Sequence, residues 1–170
     1  DGFPDFIQQY PNGTVTVRHS KIKRTNKLKS ITTPLGAKYS LDYKLSPPTY
    51  DMPNGKWVMK KLEVYDKYAK SIEGPATLYK EYEYHNGRYD RRERDFYGFE
   101  YVRTIGRVEP SNSNSAIYRQ NISKFNNMSY YLNGMELENY VVKGDFTITQ
   151  DNLGRDIIAP PPSSTFTKTS

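Results

Sequence analysis

The chain has 170 residues, of which 35% are hydrophobic, and its formal net charge is +6. This length allows one domain with a core, and the low hydrophobic share predicts a thin core or one completed by neighbours. Cysteine is absent, which excludes disulfides, thiol catalysis and cysteine-based zinc sites. No apolar run approaches the ~20 residues of a membrane span, so we expect no membrane insertion.

The positive charge is not that of a nucleic-acid-binding protein. Lys and Arg alternate with apolar residues along residues 38–44, a pattern typical of the solvated face of a sheet. The densest basic run, residues 18–29, contains no aromatic residue and no helix-turn-helix or RNA-binding signature. We therefore expect no nucleic-acid partner.

Turn signals divide the chain into short segments rich in Val, Ile, Thr, Tyr and Phe, and none shows the apolar period of a helix. Sixteen tyrosines agree with this, because tyrosine favours strands with one half-buried face. In chain order, strands are predicted at residues 14–18, 37–45, 57–65, 77–84, 99–108, 116–125, 135–142 and 146–150. The sequence therefore predicts an all-β fold of antiparallel sheets.

The strand at 77–84 shows a clear alternation. Tyr82 and Tyr84 point to one face, and Glu81 and Glu83 point to the other. The tripeptide His85-Asn86-Gly87 follows directly. Because Asn-Gly is favoured in tight hairpins, we predict a turn here, with Gly87 at positive φ and strands adjacent on either side.

The segment that starts in this strand, YEYHNGRYDRRERDFYGF at residues 82–99, is the most informative in the chain. It resembles the recurrent Y-x-Y-x-x-G-x-Y-D-x-x-E-R-x-F-x-G-F of Tc-toxin B subunits, SpvB-like proteins and Rhs-type (YD-repeat) proteins. The block LKSITTPLGAKYSLDY at residues 28–43 resembles an upstream motif of the same family, and the predicted strand at 57–62 also lies where the family has one. The predicted structural-motif residues are Tyr82, Tyr84, Gly87, Tyr89, Asp90, Glu93, Arg94, Phe96, Gly98 and Phe99.

The resemblance implies a structural role in a large, secreted or cell-surface bacterial protein. In that family this region adjoins an FG-GAP/VCBS propeller and contributes to a β shell that encloses and delivers a C-terminal toxin or effector. The implied partners are the remainder of the parent chain, the enclosed effector and a secretion or translocation complex. The implied divisions are a propeller tail at 1–10, the family-like β region at 11–109, further shell strands at 110–159 and a Pro/Ser/Thr-rich linker at 160–170. The first and last residues also look like those of an excised piece.

The first residues add a metal hypothesis. Asp1-Gly2-Phe3-Pro4-Asp5 resembles the end of a D-x-D-G-x-x-D loop, as found in FG-GAP or VCBS propeller blades. Such loops bind calcium through closely spaced oxygen ligands. Asp1 and Asp5 are therefore candidate calcium ligands, although a calcium site usually takes six to eight oxygens. No other cofactor is expected.

The sequence predicts no catalytic residues. Glu93, Asp95 and Arg94 form a mixed charge cluster, which we expect to be satisfied internally by Arg–carboxylate pairs. His19 and His85 have no metal-ligand spacing and are interpreted as surface residues.

Two alternatives to the shell remain open. The first is a cell-surface adhesin or carbohydrate-binding module, in which the Tyr130-Tyr131 pair or Tyr79, Tyr82 and Tyr84 stack on sugars. The second, weaker alternative is a hydrolase that uses carboxylate pairs on one strand face. The candidate pairs are Glu81 with Glu83 and Glu136 with Glu138.

Overall fold

The computed structural model describes residues 5–21, 26–68, 76–107, 117–142 and 146–159, which form eleven strands and no helix. The strands are β1 (Phe6–Gln9), β2 (Val15–Arg18), β3 (Ser30–Thr32), β4 (Lys38–Ser46), β5 (Lys56–Tyr65), β6 (Thr77–Asp90), β7 (Asp95–Arg107), β8 (Ile117–Phe125), β9 (Glu136–Val142), β10 (Thr147–Gln150) and β11 (Asp156–Ala159). Every strand pair is antiparallel, which confirms the predicted fold class. Nothing in the described part of the chain is an apolar helix of membrane-spanning length.

Strands β3 to β9 form one seven-stranded sheet in which each strand pairs with its neighbours in sequence. Two of the connections, 33–37 between β3 and β4 and 91–94 between β6 and β7, are short turns, as antiparallel neighbours allow. Between β3 and β4, for example, Gly36 has φ +91° and its N–H donates to the Thr33 carbonyl at 2.9 Å. The β1–β2 and β10–β11 pairs are separate two-stranded sheets.

The ladder between β5 and β6 is short. It joins only Lys61–Tyr65 to Thr77–Glu81, so the second half of β6 has no β5 partner. The loop between β4 and β5 lies beside that half of β6, where the Tyr89 N–H donates to the Asp51 carbonyl at 2.8 Å. Met52 of this loop is almost completely buried.

The main core lies on one face of the sheet, over β7, β8 and β9. The β10–β11 hairpin covers this face, because Phe146 and Ile158 pack against residues of all three strands. The complete cluster is Tyr101, Ile122, Val142, Phe146 and Ile158, with Tyr140 packed against it. Such a small core agrees with the low hydrophobic share of the sequence.

The predicted turn at His85-Asn86-Gly87 is wrong. Gly87 lies inside the continuous strand β6, opposite Phe99, and positive φ belongs instead to Asn86, at 54°. The chain reverses only at residues 91–94. The physical reason is that the Asn86 side chain is held by partners outside the strand, so its left-handed conformation kinks β6 without ending it.

Three short strands, β1, β3 and β11, are not among those predicted. Most of the predicted strands agree with observed ones within one residue, but the 77–84 prediction ends six residues before β6 does and the 99–108 prediction begins four residues after β7 does. The predicted Pro/Ser/Thr-rich linker at 160–170 lies outside the described residues.

Candidate functional site

The sequence motif forms one connected feature, the β6–β7 pair and its turn. The five residues Tyr82, Tyr84, Gly87, Tyr89 and Asp90 lie on β6, the turn contains Glu93 and Arg94, and β7 contains Phe96, Gly98 and Phe99. A register shift at Arg88/Tyr89, together with Gly98 at φ +86°, makes a bulge in this pair. The bulge leaves Tyr97 outside the ladder and buried.

Three aromatic rings of the motif pack together. The Tyr84 and Phe99 centroids are 5.1 Å apart, and the Phe96 and Phe99 centroids are 5.4 Å apart in an edge-to-face arrangement. The ammonium of Lys56 on β5 lies 5.1 Å from the Phe96 ring centroid. These rings therefore link β5, β6 and β7 at the place where the β5–β6 ladder is absent.

The turn of the motif is fixed by hydrogen bonds from main-chain N–H groups to the Asp90 carboxylate rather than by ion pairs. Asp90 Oδ1 accepts from the N–H of Glu93 at 2.9 Å and of Arg92 at 2.8 Å, and these bonds lower the pKa of Asp90. Among the described residues, no ion pair joins the charged side chains of residues 90–95. The predicted Arg–carboxylate pairs within the motif are therefore wrong, because these side chains extend from an exposed turn.

Arg–carboxylate pairs lie instead along the core face of β6 and β7. The Arg103 guanidinium is buried and donates to Gln120 Oε1 at 2.7 Å and Glu83 Oε2 at 2.9 Å. Four residues further along β7, Arg107 Nε donates to Glu81 Oε2 at 2.8 Å. The predicted alternation is thus correct: Glu81 and Glu83 share one face, where each is bound to an arginine on β7.

His85 joins this polar row to the covering hairpin. Its Nδ1 lies 2.6 Å from Asp156 Oδ2 of β11, and its side chain is only 15% exposed. Its Nε2 lies 4.0 Å from Glu83 Oε2, which is a charge contact rather than a hydrogen bond. The interpretation of His85 as a surface residue is therefore wrong, whereas His19, 82% exposed, is on the surface as predicted.

The charges around His85 change its pKa and that of Glu83. Burial opposes protonation of the imidazole, but Glu83 and Asp156 outweigh it and raise the pKa of His85. His85 and Arg103 in turn lower the pKa of Glu83 to about 2. At neutral pH the carboxylates therefore remain charged beside the imidazole.

Asn86 makes the second contact with the hairpin. Its Oδ1 accepts from the Asp156 N–H at 2.9 Å, and its Nδ2 donates to the Asp156 carbonyl at 2.8 Å and to Glu100 Oε2 at 2.8 Å. Asn127, also buried, donates from Nδ2 to the Asn86 carbonyl at 2.8 Å. Sequence reasoning missed these roles, although two motif residues with hydrogen-bonding side chains, His85 and Asn86, were an available signal.

The candidate metal ligands are only partly described. Asp5 Oδ1 accepts from the Ser20 N–H at 2.8 Å and Asp5 Oδ2 lies 3.1 Å from His19 Nδ1, contacts that lower the pKa of Asp5 and close the β1–β2 hairpin. Asp1 lies outside the described residues. In the described ranges, no group of three or more His, Asp or Glu side chains is arranged to hold a metal ion.

The remaining candidate acids also have structural partners. Glu136 Oε1 accepts from Asn139 Nδ2 at 2.8 Å, and the Tyr140 hydroxyl donates to Glu138. Glu93, Arg94 and Asp95 lie in or beside the exposed motif turn. The predicted tyrosine patch is divided: Tyr84 packs on Phe99, and the Tyr79 ring lies below the Lys61 ammonium. Tyr130 and Tyr131 form an exposed edge-to-face pair in the β8–β9 loop.

The seven-stranded sheet with its two edge strands, β3 and β9, defines an open antiparallel β-sheet protein. The chain belongs to the family described as the insecticide toxin TcdB middle/N-terminal region, whose model matches residues 1–127. The resemblance of the 82–99 motif to Tc-toxin B subunits is therefore confirmed.

Solved structures give a weaker similarity. The crystal structure of TcdB2-TccC3 is 15% identical, with a TM-score of 0.46, and the match covers 80% of this chain and 8% of that one. The crystal structure of TcdB2-TccC3-TEV is 16% identical, with a TM-score of 0.49, over 72% of this chain and 6% of that one. This chain thus spans less than a tenth of the solved chains. No curated protein sequence is significantly similar to it.

Proposed function

We propose that this chain is a non-catalytic wall segment of a secreted bacterial toxin subunit, in a β shell that encloses a C-terminal effector and delivers it. Membership in the TcdB middle/N-terminal family supports this proposal. The proposal includes the divisions at 1–10, 11–109, 110–159 and 160–170 and an adjoining propeller. The partners are the rest of the parent chain, its effector and a secretion or translocation complex.

The observation that carries the proposal is the open sheet. The outer edge of β9 has no strand beside it in the described residues, and β3 covers β4 only from Lys38 to Ser40. Exposed strand edges favour pairing with further strands, and isolated proteins usually protect them. In a shell, neighbouring strands of the parent chain would pair with both edges.

Exposed apolar side chains support the same role. Large exposed apolar side chains lie on several parts of the structure, including Ile7, Leu35, Tyr50, Tyr131 and Leu153. Their spread over different loops and strands is expected if several neighbouring parts of the parent protein pack around this segment. The core is small for the same reason, because part of the burial would come from those neighbours.

Enclosure can be tested in the parent protein by limited trypsin digestion of its C-terminal effector region. Ile122→Asp places a charge in the fully buried core, so we expect this variant to open the wall and the effector region to be digested faster. The matched control is Ile7→Asp, because Ile7 is exposed. Size-exclusion chromatography verifies that both variants remain assembled.

Rapid digestion of the effector region in the unaltered parent protein would contradict enclosure. Edge pairing has a separate test, in a parent protein whose native cysteines, if it has any, are first replaced by serine. A single Glu136→Cys on β9, coupled to a photoreactive maleimide, should cross-link to another strand of the parent chain, to be identified by mass spectrometry. Cross-links only to residues within these 170 residues would contradict the proposed edge pairing.

A further inference from the structure

The sheet face opposite the core contains a groove that the shell role does not use. It has a volume of about 560 Å³ and crosses four adjacent strands. Its lining residues are Lys80 and Tyr82 of β6, Thr104 and Gly106 of β7, Arg119 and Asn121 of β8, and Asn139 and Val141 of β9. This volume lies within the ~300–1,000 Å³ of small-molecule sites.

The strand register arranges the cations of the groove. Lys80 pairs with Gly106, and Gly106 pairs with Arg119, so the three residues form one row across the sheet. Neighbouring strands are about 4.8 Å apart, which places the two cationic residues about 10 Å apart with no side chain between them. In the described residues, neither Lys80 nor Arg119 has an ion-pair partner, and the lining contains no carboxylate.

The next row supplies neutral hydrogen-bonding groups and one aromatic ring. Tyr82 pairs with Thr104, Thr104 with Asn121, and Asn121 with Val141. The hydroxyl and carboxamide groups in this row can both donate and accept. Asn121 Oδ1 is buried and accepts no hydrogen bond, so a small rotation of its carboxamide would present it to a ligand hydroxyl.

These features favour a sugar over a peptide. The main-chain groups of the central strands are already used in ladders on both sides, so a peptide cannot add to the sheet at this face. A saccharide needs what the second row offers, namely hydroxyl and amide partners for its hydroxyls and a half-buried tyrosine ring to pack against. The cation row further selects a negative charge.

We propose that this groove binds a short acidic saccharide, with its carboxylate above Gly106 between Lys80 and Arg119 and its ring against Tyr82. The neutral hydroxyls reach Thr104 and Asn121. The site is independent of effector enclosure, so one role can fail without the other.

The probe is digalacturonate, titrated calorimetrically into the full-length parent protein, with its dimethyl ester as a neutral ligand of the same shape. We expect the double variant Lys80→Gln/Arg119→Gln and the ester each to reduce affinity at least about tenfold. Tyr82→Leu should reduce it about threefold or more, because the ring contact is lost. The matched control Lys38→Gln, an exposed lysine on β4 that lies on the opposite face of the sheet, should bind as the unaltered protein does.

Several results would overturn the proposal. They are the absence of digalacturonate binding, equal binding of the ester, binding unaffected by the groove variants, and binding of poly-glutamate in place of the saccharide. Lys80 and Arg119 are exposed, so the groove variants should lose binding while their melting temperatures stay unchanged. A groove variant that binds digalacturonate normally would contradict the site. Trypsin protection of the effector region, measured on the same variants, should not change.

Discussion

Gly87 lies where β6 passes beneath the β4–β5 loop, and its lack of a side chain is what allows that approach. A Cβ added to Gly87 would lie 2.6 Å from Met52 Sδ and 2.9 Å from Phe99 Cε1. Both neighbours are packed, so they cannot move without disturbing the aromatic cluster of the motif. The glycine of the sequence motif is therefore explained by close packing within a strand, and not by a turn.

Replacing Gly87 by alanine should destabilise the protein by about 1–3 kcal/mol through overpacking. Urea unfolding measures the change. Met52→Ala removes one of the two crowded atoms, at a cost of its own of about 2–5 kcal/mol. Gly87→Ala should therefore destabilise the Met52→Ala variant less than it destabilises the unaltered protein. Equal destabilisation in the two backgrounds would exclude Met52 as the source of the strain.

His85 should make the stability of the protein depend on pH. The folded-state pKa of His85 is raised above 6.5. Its contribution to the free energy of unfolding is therefore complete below that pH and is lost as pH rises through the folded-state pKa. Glu83 affects stability at low pH, because folding lowers its pKa from 4.5 to about 2. Its contribution to the free energy of unfolding is present above pH 4.5 and is lost as pH falls toward 2. Stability should therefore be greatest between these two ranges.

Melting temperatures measured from pH 5 to pH 9 (about the range in which a raised imidazole titrates) test the alkaline part. His85→Gln should remove most of the fall in melting temperature above neutral pH. His19→Gln is the matched control, because the His19 ring is largely exposed. A pH profile that is the same for His85→Gln and the unaltered protein would contradict this role.

At the scale of elements, the β10–β11 hairpin depends on very few apolar contacts. Ile158 faces the core and Ile157, its neighbour, faces solvent, with exposures of 8% and 45%. Ile158→Ala should cost about 2–5 kcal/mol and speed hydrogen exchange throughout the hairpin. Ile157→Ala should change stability by no more than about 0.5 kcal/mol. Equal effects of the two substitutions would mean that the hairpin is not held by this face.

The elements also show which parts of the fold local sequence can predict. Strands such as β5 and β9 were predicted nearly to the residue, because β-branched and aromatic residues lie between clear turn signals. Strand β3 has only three residues and depends on its pairing with β4, so its local signal is weak. Asn86-Gly87 carried a strong turn signal that tertiary hydrogen bonds overrode.

The candidate sites were less predictable than the strands, because they depend on contacts between residues that are far apart in the sequence. His85 and Asp156 are 71 residues apart in sequence, and no local pattern indicates that they touch. The groove row of Lys80, Gly106 and Arg119 exists only through the register of three strands. Sequence reasoning did find the motif that builds the β6–β7 pair, since its residues are close together in the chain.

For the molecule as a whole, the open edges predict that the 170-residue chain associates when it is produced alone. The outer edge of β9 and much of β4 would be unpaired, and such edges pair with other chains. Size-exclusion chromatography with light scattering should show oligomers or aggregates. A soluble monomer would contradict this expectation.

The short ladder between β5 and β6 has a mechanical consequence. Hydrogen bonds join these strands only over Lys61–Tyr65 and Thr77–Glu81, whereas β6 and β7 are paired almost from end to end. The sheet therefore consists of two stiffer parts joined by a short ladder, with the β4–β5 loop and side-chain contacts filling the rest of the gap. Under a bending load the two parts would rotate about that short ladder, so the curvature of the sheet can change there while every long ladder stays intact.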